Sequence, residues 1–188
     1  SLKGKTVAIQ GFGKVGSYLA VHLRDEGVNI IASDVNVQET KSAWEEFGAA
    51  IVSTDDIYDV ECDIFSPCAL GAVLNRRTIP RLQCKIVAGG ANNQLEEDED
   101  GDLLQQRQIL YAPDYVLNAG GVINLSLELT GYNAEAAKAQ VAEIHNTIEK
   151  VISLARTKQI STARAADSLA ESRIQDARRA RASYLKSR

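Results

Sequence analysis

Short apolar runs rich in β-branched residues recur along the first two thirds of the chain, at positions 6–10, 29–33, 50–52, 64–66, 85–88 and 109–111. Stretches of helical period separate them. Val15, Leu19, Ala20 and Leu23 fall on one face of a helix, and Thr40, Ala43, Trp44 and Phe47 on one face of the next. Gly27 and Gly48 follow these stretches as stop signals. Strands alternating with crossover helices predict an α/β fold, a doubly wound, mostly parallel sheet of Rossmann type with helices on both faces.

From about Asn133 the pattern changes. Ala137, Val141, Ile144, Ile148, Val151 and Ile152 form a single stripe, which predicts a long amphipathic helix. A second helix is expected to start at Ser161 or Thr162 and to run through Ala166, Leu169, Ile174, Ala177 and Tyr184. Its basic end, with Arg178, Arg179, Arg181, Lys186 and Arg188, reads as favourable charge against the helix dipole rather than as a polyanion site. The acidic run 96–100 reads as a solvated first helical turn. The expected division is a dinucleotide-binding domain over 1–132, with 133–188 forming helices that pack on it within the same structural unit.

Composition narrows the function classes. The 188 residues are 45% hydrophobic and carry a net charge of −4 with both signs interspersed, which gives no footprint for nucleic acid. No stretch approaches the roughly 20 apolar residues of a membrane span, and the amino terminus lacks a signal-peptide pattern, so a cytoplasmic protein is expected. Cys62, Cys68 and Cys84 show no metal-ligand spacing and read as reduced thiols. No metal site is expected.

The chemistry concentrates at Gly11-Phe12-Gly13-Lys14-Val15-Gly16, between the first strand and the first helix. In that context Gly11 permits a tight turn, Gly13 lets backbone approach a pyrophosphate, and Gly16 allows helix to pack closely on strand. The pyrophosphate would rest on free N–H groups at the helix start. Asp34 closes the second strand, where a carboxylate accepts hydrogen bonds from the adenosine ribose and repels a 2′-phosphate, favouring NAD over NADP. Capping the next helix is its alternative role, in competition with Asn36. Three further loops, 67–71, 89–93 and 118–121, should line the nicotinamide end. The last two combine glycines with Asn side chains able to meet a carboxamide.

With these residues in view the sequence resembles the glutamate/leucine/phenylalanine/valine dehydrogenase family, and most closely its leucine and phenylalanine dehydrogenase branch. Four blocks carry the resemblance: 4–13, 62–71, 91–95 and, most specific, Tyr111-Ala112-Pro113-Asp114-Tyr115-Val116-Leu117-Asn118-Ala119-Gly120-Gly121-Val122-Ile123-Asn124. The resemblance implies reversible oxidative deamination of an L-amino acid to a 2-oxo acid and ammonia, with hydride passing to NAD. It implies that Gly11, Gly13, Lys14, Val15, Gly16, Asp34 and Val35 hold the cofactor, and that Cys68 and Ala69 adjoin the nicotinamide ribose. Asn93 and Asn118 would lie near the nicotinamide and the reacting centre, and Val122 and Leu125 would contact the substrate side chain. An apolar Leu125 cannot satisfy a buried carboxylate, so an aliphatic or aromatic substrate is expected rather than glutamate.

Two departures qualify the match. The family commonly has Asn where this chain has Lys14. The family's catalytic lysine and aspartate belong to an amino-terminal substrate domain that nothing in this sequence resembles. Residues 1–188 are therefore expected to bind cofactor without turning over substrate, and the parent enzyme to be a homo-oligomer. His22 and His145 lie on helices and read as surface or structural residues. The alternatives are a non-catalytic module that senses NAD, and an NADP-using relative acting on an acidic amino acid; Asp34 and Leu125 argue against the latter.

Overall fold

The computed structural model describes residues 1–129 and 131–186, with side chains described as far as residue 180. Six strands form one parallel sheet: β1 (Thr6–Gln10), β2 (Asn29–Ser33), β3 (Ala50–Ile51), β4 (Ile64–Pro67), β5 (Ile86–Val87) and β6 (Leu110–Tyr111). Their spatial order is β3-β2-β1-β4-β5-β6, with every neighbouring pair parallel. The chain reverses direction across the sheet between β1 and β4, and this switch opens a crevice at the carboxyl ends of those strands.

Alternation along β1 explains how the sheet is covered. Val7 and Ile9 enter a core with Ala20 and Leu23 of α1 (Lys14–Asp25) and Ala43 of α2 (Val37–Phe47). Ala8 faces the opposite core, built from Phe65, Leu74, Ile79, Val87, Leu104 and Tyr111. A strand buried on both faces has no solvent side, so β1 reads as an apolar run rather than an alternating one. Gly48 adopts φ +65° at the end of α2 and stops it, and Asn36 caps its start by accepting from the Gln38 N–H at 3.0 Å. Trp44 departs from the expected apolar face. It is 63% exposed, because Ala43 takes the buried position and the larger ring lies beyond the edge of the contact.

Beyond the sheet lie α3 (Asp98–Gln106), the single turn α4 (Asp114–Leu117), α5 (Gly120–Glu128), α6 (Ala134–Lys158) and α7 (Thr162–Lys186). The α6 stripe buries Ala137 and Val151, whereas Val141 is 41% exposed, and on α7 Ile174 is 53% exposed. Val151 and Ala155 pack with Ala165 and Ala166 of α7. α7 is also tied to α3 by a forked ion pair between Arg164 and Asp102, at 2.7 Å. The acidic run is solvated as expected at Glu96, Glu97, Asp98 and Glu99, which are exposed, and departs from expectation only at Asp100. Glu97 and Asp100 form a reciprocal capping box, and Asp100 is buried at 2% exposure, because its carboxylate is spent on the Glu97 N–H. Of the basic residues near the carboxyl end, Arg188 lies outside the described residues, and the side chains of Arg181 and Lys186, like that of Tyr184 in the helix body, lie beyond those described.

Candidate functional site

The glycine turn is held from two sides. Phe12 is fully buried and its ring meets Phe47 of α2 edge to face at 5.5 Å, while its N–H donates to Asp34 Oδ2 at 2.7 Å. Gly11 adopts φ +91°, and a Cβ there would come within 2.5 Å of the Ala69 Cβ. Gly11 is thus required both by conformation and by the approach of the loop after β4. Gly16 packs against the Gly11 carbonyl and Ile9, so helix and strand touch as the motif demands. Gly13 differs from both. Nothing lies within 4 Å of where its side chain would stand, and it opens α1 with no side-chain cap on the first turn. The helix therefore presents uncapped N–H groups and its positive dipole end to open space, an arrangement suited to a phosphate.

Asp34 takes a position between its two expected roles. Oδ2 receives the Phe12 N–H and Oδ1 receives the Asn36 N–H at 2.8 Å, while the cap of α2 belongs to Asn36. An ionised carboxylate has about four acceptor positions, so about two remain for ribose hydroxyls. The same bonds fix the carboxylate beside the glycine turn. Val35 follows it, 90% exposed. Lys14 is exposed at the start of α1.

Contacts run on from this end along the carboxyl edge of the sheet. Gly11 abuts Ala69, and Val15 Cγ1 lies 2.5 Å from where a Gly90 side chain would begin. The Cys68 N–H donates to the Gln10 carbonyl at 2.7 Å, and Cys68 Sγ lies 3.5 Å from Ser66 Oγ. Gly71 sits under the carbonyls of Asn92 and Asn93, and Asn93 adopts φ +51°. Asn118 Nδ2 donates to Asn92 Oδ1 at 2.6 Å, joining the loop after β5 to the end of α4. These contacts join the glycine turn to Asp34 and Ala69, and the Gly71 loop to the Asn92–Asn93 segment and Asn118. Val122 and Leu125 lie on α5, both largely exposed.

The segment 118–121, expected as a loop, is a turn at Asn118, which caps α4, and Ala119, and becomes helix at Gly120, which begins α5. Its glycines open a helix, which still leaves the backbone there free of side chains. Motif reading alone did not assign roles to Asn92, Gln94 and Asp114. Gln94 is fully buried, and its Nε2 donates to the carbonyls of Gly89 at 2.7 Å and Ala91 at 2.9 Å. Asp114 accepts the Gln94 N–H at 3.0 Å on one oxygen and the Tyr115 N–H at 2.7 Å on the other. Together they lock the two Asn-bearing segments. The available signal was an acid at a helix start and an amide after two Asn residues, neither distinctive without the fold.

Perturbed groups lie at the margin. Burial, reinforced by the Asp114 charge, pushes the Tyr111 hydroxyl up, and burial together with the bond to Asp167 at 2.8 Å does the same for Tyr115. Both phenols stay protonated and act as fixed donors or acceptors. His22 and His145 are exposed, the latter 3.4 Å from Glu149. Among the described residues no group of three or more His, Cys, Asp or Glu is placed to hold a metal ion, and no helix is long and apolar enough to cross a membrane.

Residues 33–182 match the family described as Glutamate/Leucine/Phenylalanine/Valine dehydrogenase. The chain is 51% identical over 185 residues to a leucine dehydrogenase of Geobacillus stearothermophilus, covering 98% of this chain and 50% of that protein. It is 42% identical over 172 residues to a phenylalanine dehydrogenase of Lysinibacillus sphaericus, covering 89% and 45%. The crystal structure of an L-tryptophan dehydrogenase from Nostoc punctiforme superposes with a TM-score of 0.91 at 45% identity, covering 95% of this chain and 55% of that one. The chain spans about half the length of these relatives. By sequence over nearly all its residues and by fold, this chain belongs to the glutamate/leucine/phenylalanine/valine dehydrogenase family.

Proposed function

We propose that residues 1–188 are the NAD-binding half of an amino-acid dehydrogenase that interconverts an apolar aliphatic or aromatic L-amino acid with its 2-oxo acid and ammonia. The observation that carries this reading is the open cradle at Gly13, where an uncapped helix start faces free space beside a carboxylate fixed by two backbone N–H groups. NAD, when bound, supplies the hydride acceptor. The backbone of Gly13, Lys14, Val15 and Gly16 holds the pyrophosphate against the α1 dipole. Asp34 takes the ribose hydroxyls on its free lone pairs, and its charge disfavours a 2′-phosphate. Gly11 keeps the turn tight enough for this approach, and Val35 flanks the adenosine.

Further along the crevice, Cys68 and Ala69 border the nicotinamide ribose, while Asn93 and Asn118 orient the carboxamide and the reacting centre. Val122 and Leu125 give the substrate side chain an apolar wall, which leaves a distal carboxylate no donor and so excludes an acidic substrate. The groups that activate the attacking water or ammonia and polarise the carbonyl are assigned to the lysine and aspartate expected in a substrate domain outside residues 1–188. On this reading 1–132 is the dinucleotide-binding domain, 133–188 belongs to the same unit, and the parent is a cytoplasmic homo-oligomer.

The test is a spectrophotometric assay of NAD reduction by the full-length protein with L-leucine, L-phenylalanine, L-tryptophan and L-glutamate. Turnover is expected with one or more of the apolar amino acids. A preference for glutamate over all three would overturn the substrate assignment, and no reduction of NAD with any amino acid would overturn the activity.

A further inference from the structure

At the opposite, amino-terminal edge of the sheet, two cysteines occupy facing positions. β4 pairs with β5 through Ile64↔Ile86 and Phe65↔Val87, and an isolated bridge pairs Glu61 with Gln83. The offset between the strands is the same on both sides, so Cys62 stands directly beside Cys84. Neighbouring strands lie about 4.8 Å apart, which falls within the roughly 4.4–6.8 Å between Cα atoms that a disulfide spans. The two side chains also share a face. Cys84 lies in the core cluster with Phe65 and Val87, and Cys62 packs against that cluster. Both line an open cavity of about 390 Å³ with Thr6, Glu61, Asp63, Gln83 and Lys85, which brings a small solute to the half-buried Cys62 and, behind it, the buried Cys84.

We propose that Cys62 and Cys84 are a redox site, a cross-strand dithiol that hydrogen peroxide converts to a disulfide. The environment suits this chemistry. The neighbouring Cys62 thiol holds the Cys84 thiol below its ordinary value against the opposing effect of burial, helped by the backbone at Phe65 and the charge of Arg107, while Cys84 and burial push Cys62 up. The attack is assigned to Cys84 as its thiolate, the form that acts as nucleophile. Its sulfur forms an S–O bond as the O–O bond of the peroxide breaks, and the departing hydroxide takes up a proton to become water. The Cys62 sulfur then attacks the Cys84 sulfenic acid; an S–S bond forms, the S–O bond breaks, and the Cys62 proton leaves with the second water. The two sulfurs together supply the two electrons that reduce one peroxide. The ring so closed contains the loop with Cys68 and Ala69, and it staples the base of β4 to β5 without touching the cofactor crevice.

The experiment is mass mapping of the full-length protein after exposure to hydrogen peroxide and alkylation of the remaining thiols. Arg76, Arg77 and Arg81 let trypsin separate the Cys62 and Cys84 peptides, but Cys62 and Cys68 stay together, so Cys68→Ser is mapped beside the unaltered protein. The expected product is a linked pair of peptides lighter by two hydrogens, released by dithiothreitol, retained in Cys68→Ser and absent in Cys62→Ser. A parallel melting curve should rise by several degrees on oxidation in the unaltered protein and not in Cys62→Ser. Three results each overturn the proposal: both thiols still alkylated after peroxide, a sulfinic acid at either position without a link, or a link between protein copies. None of these would bear on NAD binding, which depends on the other end of the sheet.

Discussion

Gly11 and Gly13 stand two residues apart and serve opposite needs. Gly11 is required by the protein, since its φ of +91° and the neighbouring Ala69 leave no place for a side chain. Gly13 is not, since its φ of −66° suits any residue and its surroundings are empty. Gly11→Ala should thus cost about 2 kcal/mol or more in chemical denaturation, from backbone strain and collision. Gly13→Ala should keep stability within about 1 kcal/mol, the scale of a cap substitution, yet weaken NAD binding by a factor of about ten or more, read by calorimetry as about 1.4 kcal/mol. Equal loss of stability in both variants would contradict the assignment of Gly13 to a ligand. Asp34 combines the two needs. Asp34→Ala strands the Phe12 N–H and leaves the exposed Asn36 N–H to water, so it should cost about 1–2 kcal/mol of stability and narrow any preference of NAD over NADP. The motif made Gly11, Gly13, Gly16 and Asp34 legible in the sequence because their spacing follows from strand and helix geometry. It could not show that Asp34 also braces the turn, because that bond depends on where the Phe12 N–H is aimed.

Among the elements, the brace from Asp114 to Gln94 sets the distance between the segments bearing Asn93 and Asn118. Asp114→Ala should lower kcat of the full-length protein while leaving NAD affinity close to the original, because the glycine turn is untouched; stopped-flow binding beside steady-state rates separates the two. The α3–α7 contact makes a pH prediction. The hydrogen bond and charge of Arg164 hold the Asp102 carboxyl below the usual carboxylate range. A carboxyl with a lowered folded value contributes stability above its unfolded value, about 3.9, and loses it as pH falls through the folded value. Stability should therefore gain an acid-labile component below about pH 4, and Asp102→Asn should remove it. A stability curve of unchanged slope in that variant would contradict the clamp. The start of α7 at Thr162 and the caps of α2 were legible from local chemistry. The burial of Asp100 was not, because the acidic run carries the same charges whether it is solvated or closed into a capping box, and the exposure of Trp44 depends on which of two adjacent residues reaches the sheet.

For the molecule as a whole, the alternation of runs and helical periods anticipated six strands of a mostly parallel sheet, with bounds within a residue of those observed, and the observed sheet is parallel throughout. Strand order is a different matter: periodicity says nothing of which strands are neighbours, and the order β3-β2-β1-β4-β5-β6 rests on pairings between residues far apart in the chain. That order is what puts the loops after β1, β2, β4 and β5 around one crevice. The central claim is that this crevice holds NAD through the α1 start and Asp34. Calorimetric titration of residues 1–188 with NAD and, separately, with NADP tests it most directly. The account predicts one NAD per chain, bound more tightly than NADP by a factor of about ten; equal affinity for the two, or no binding of NAD at all, would contradict it.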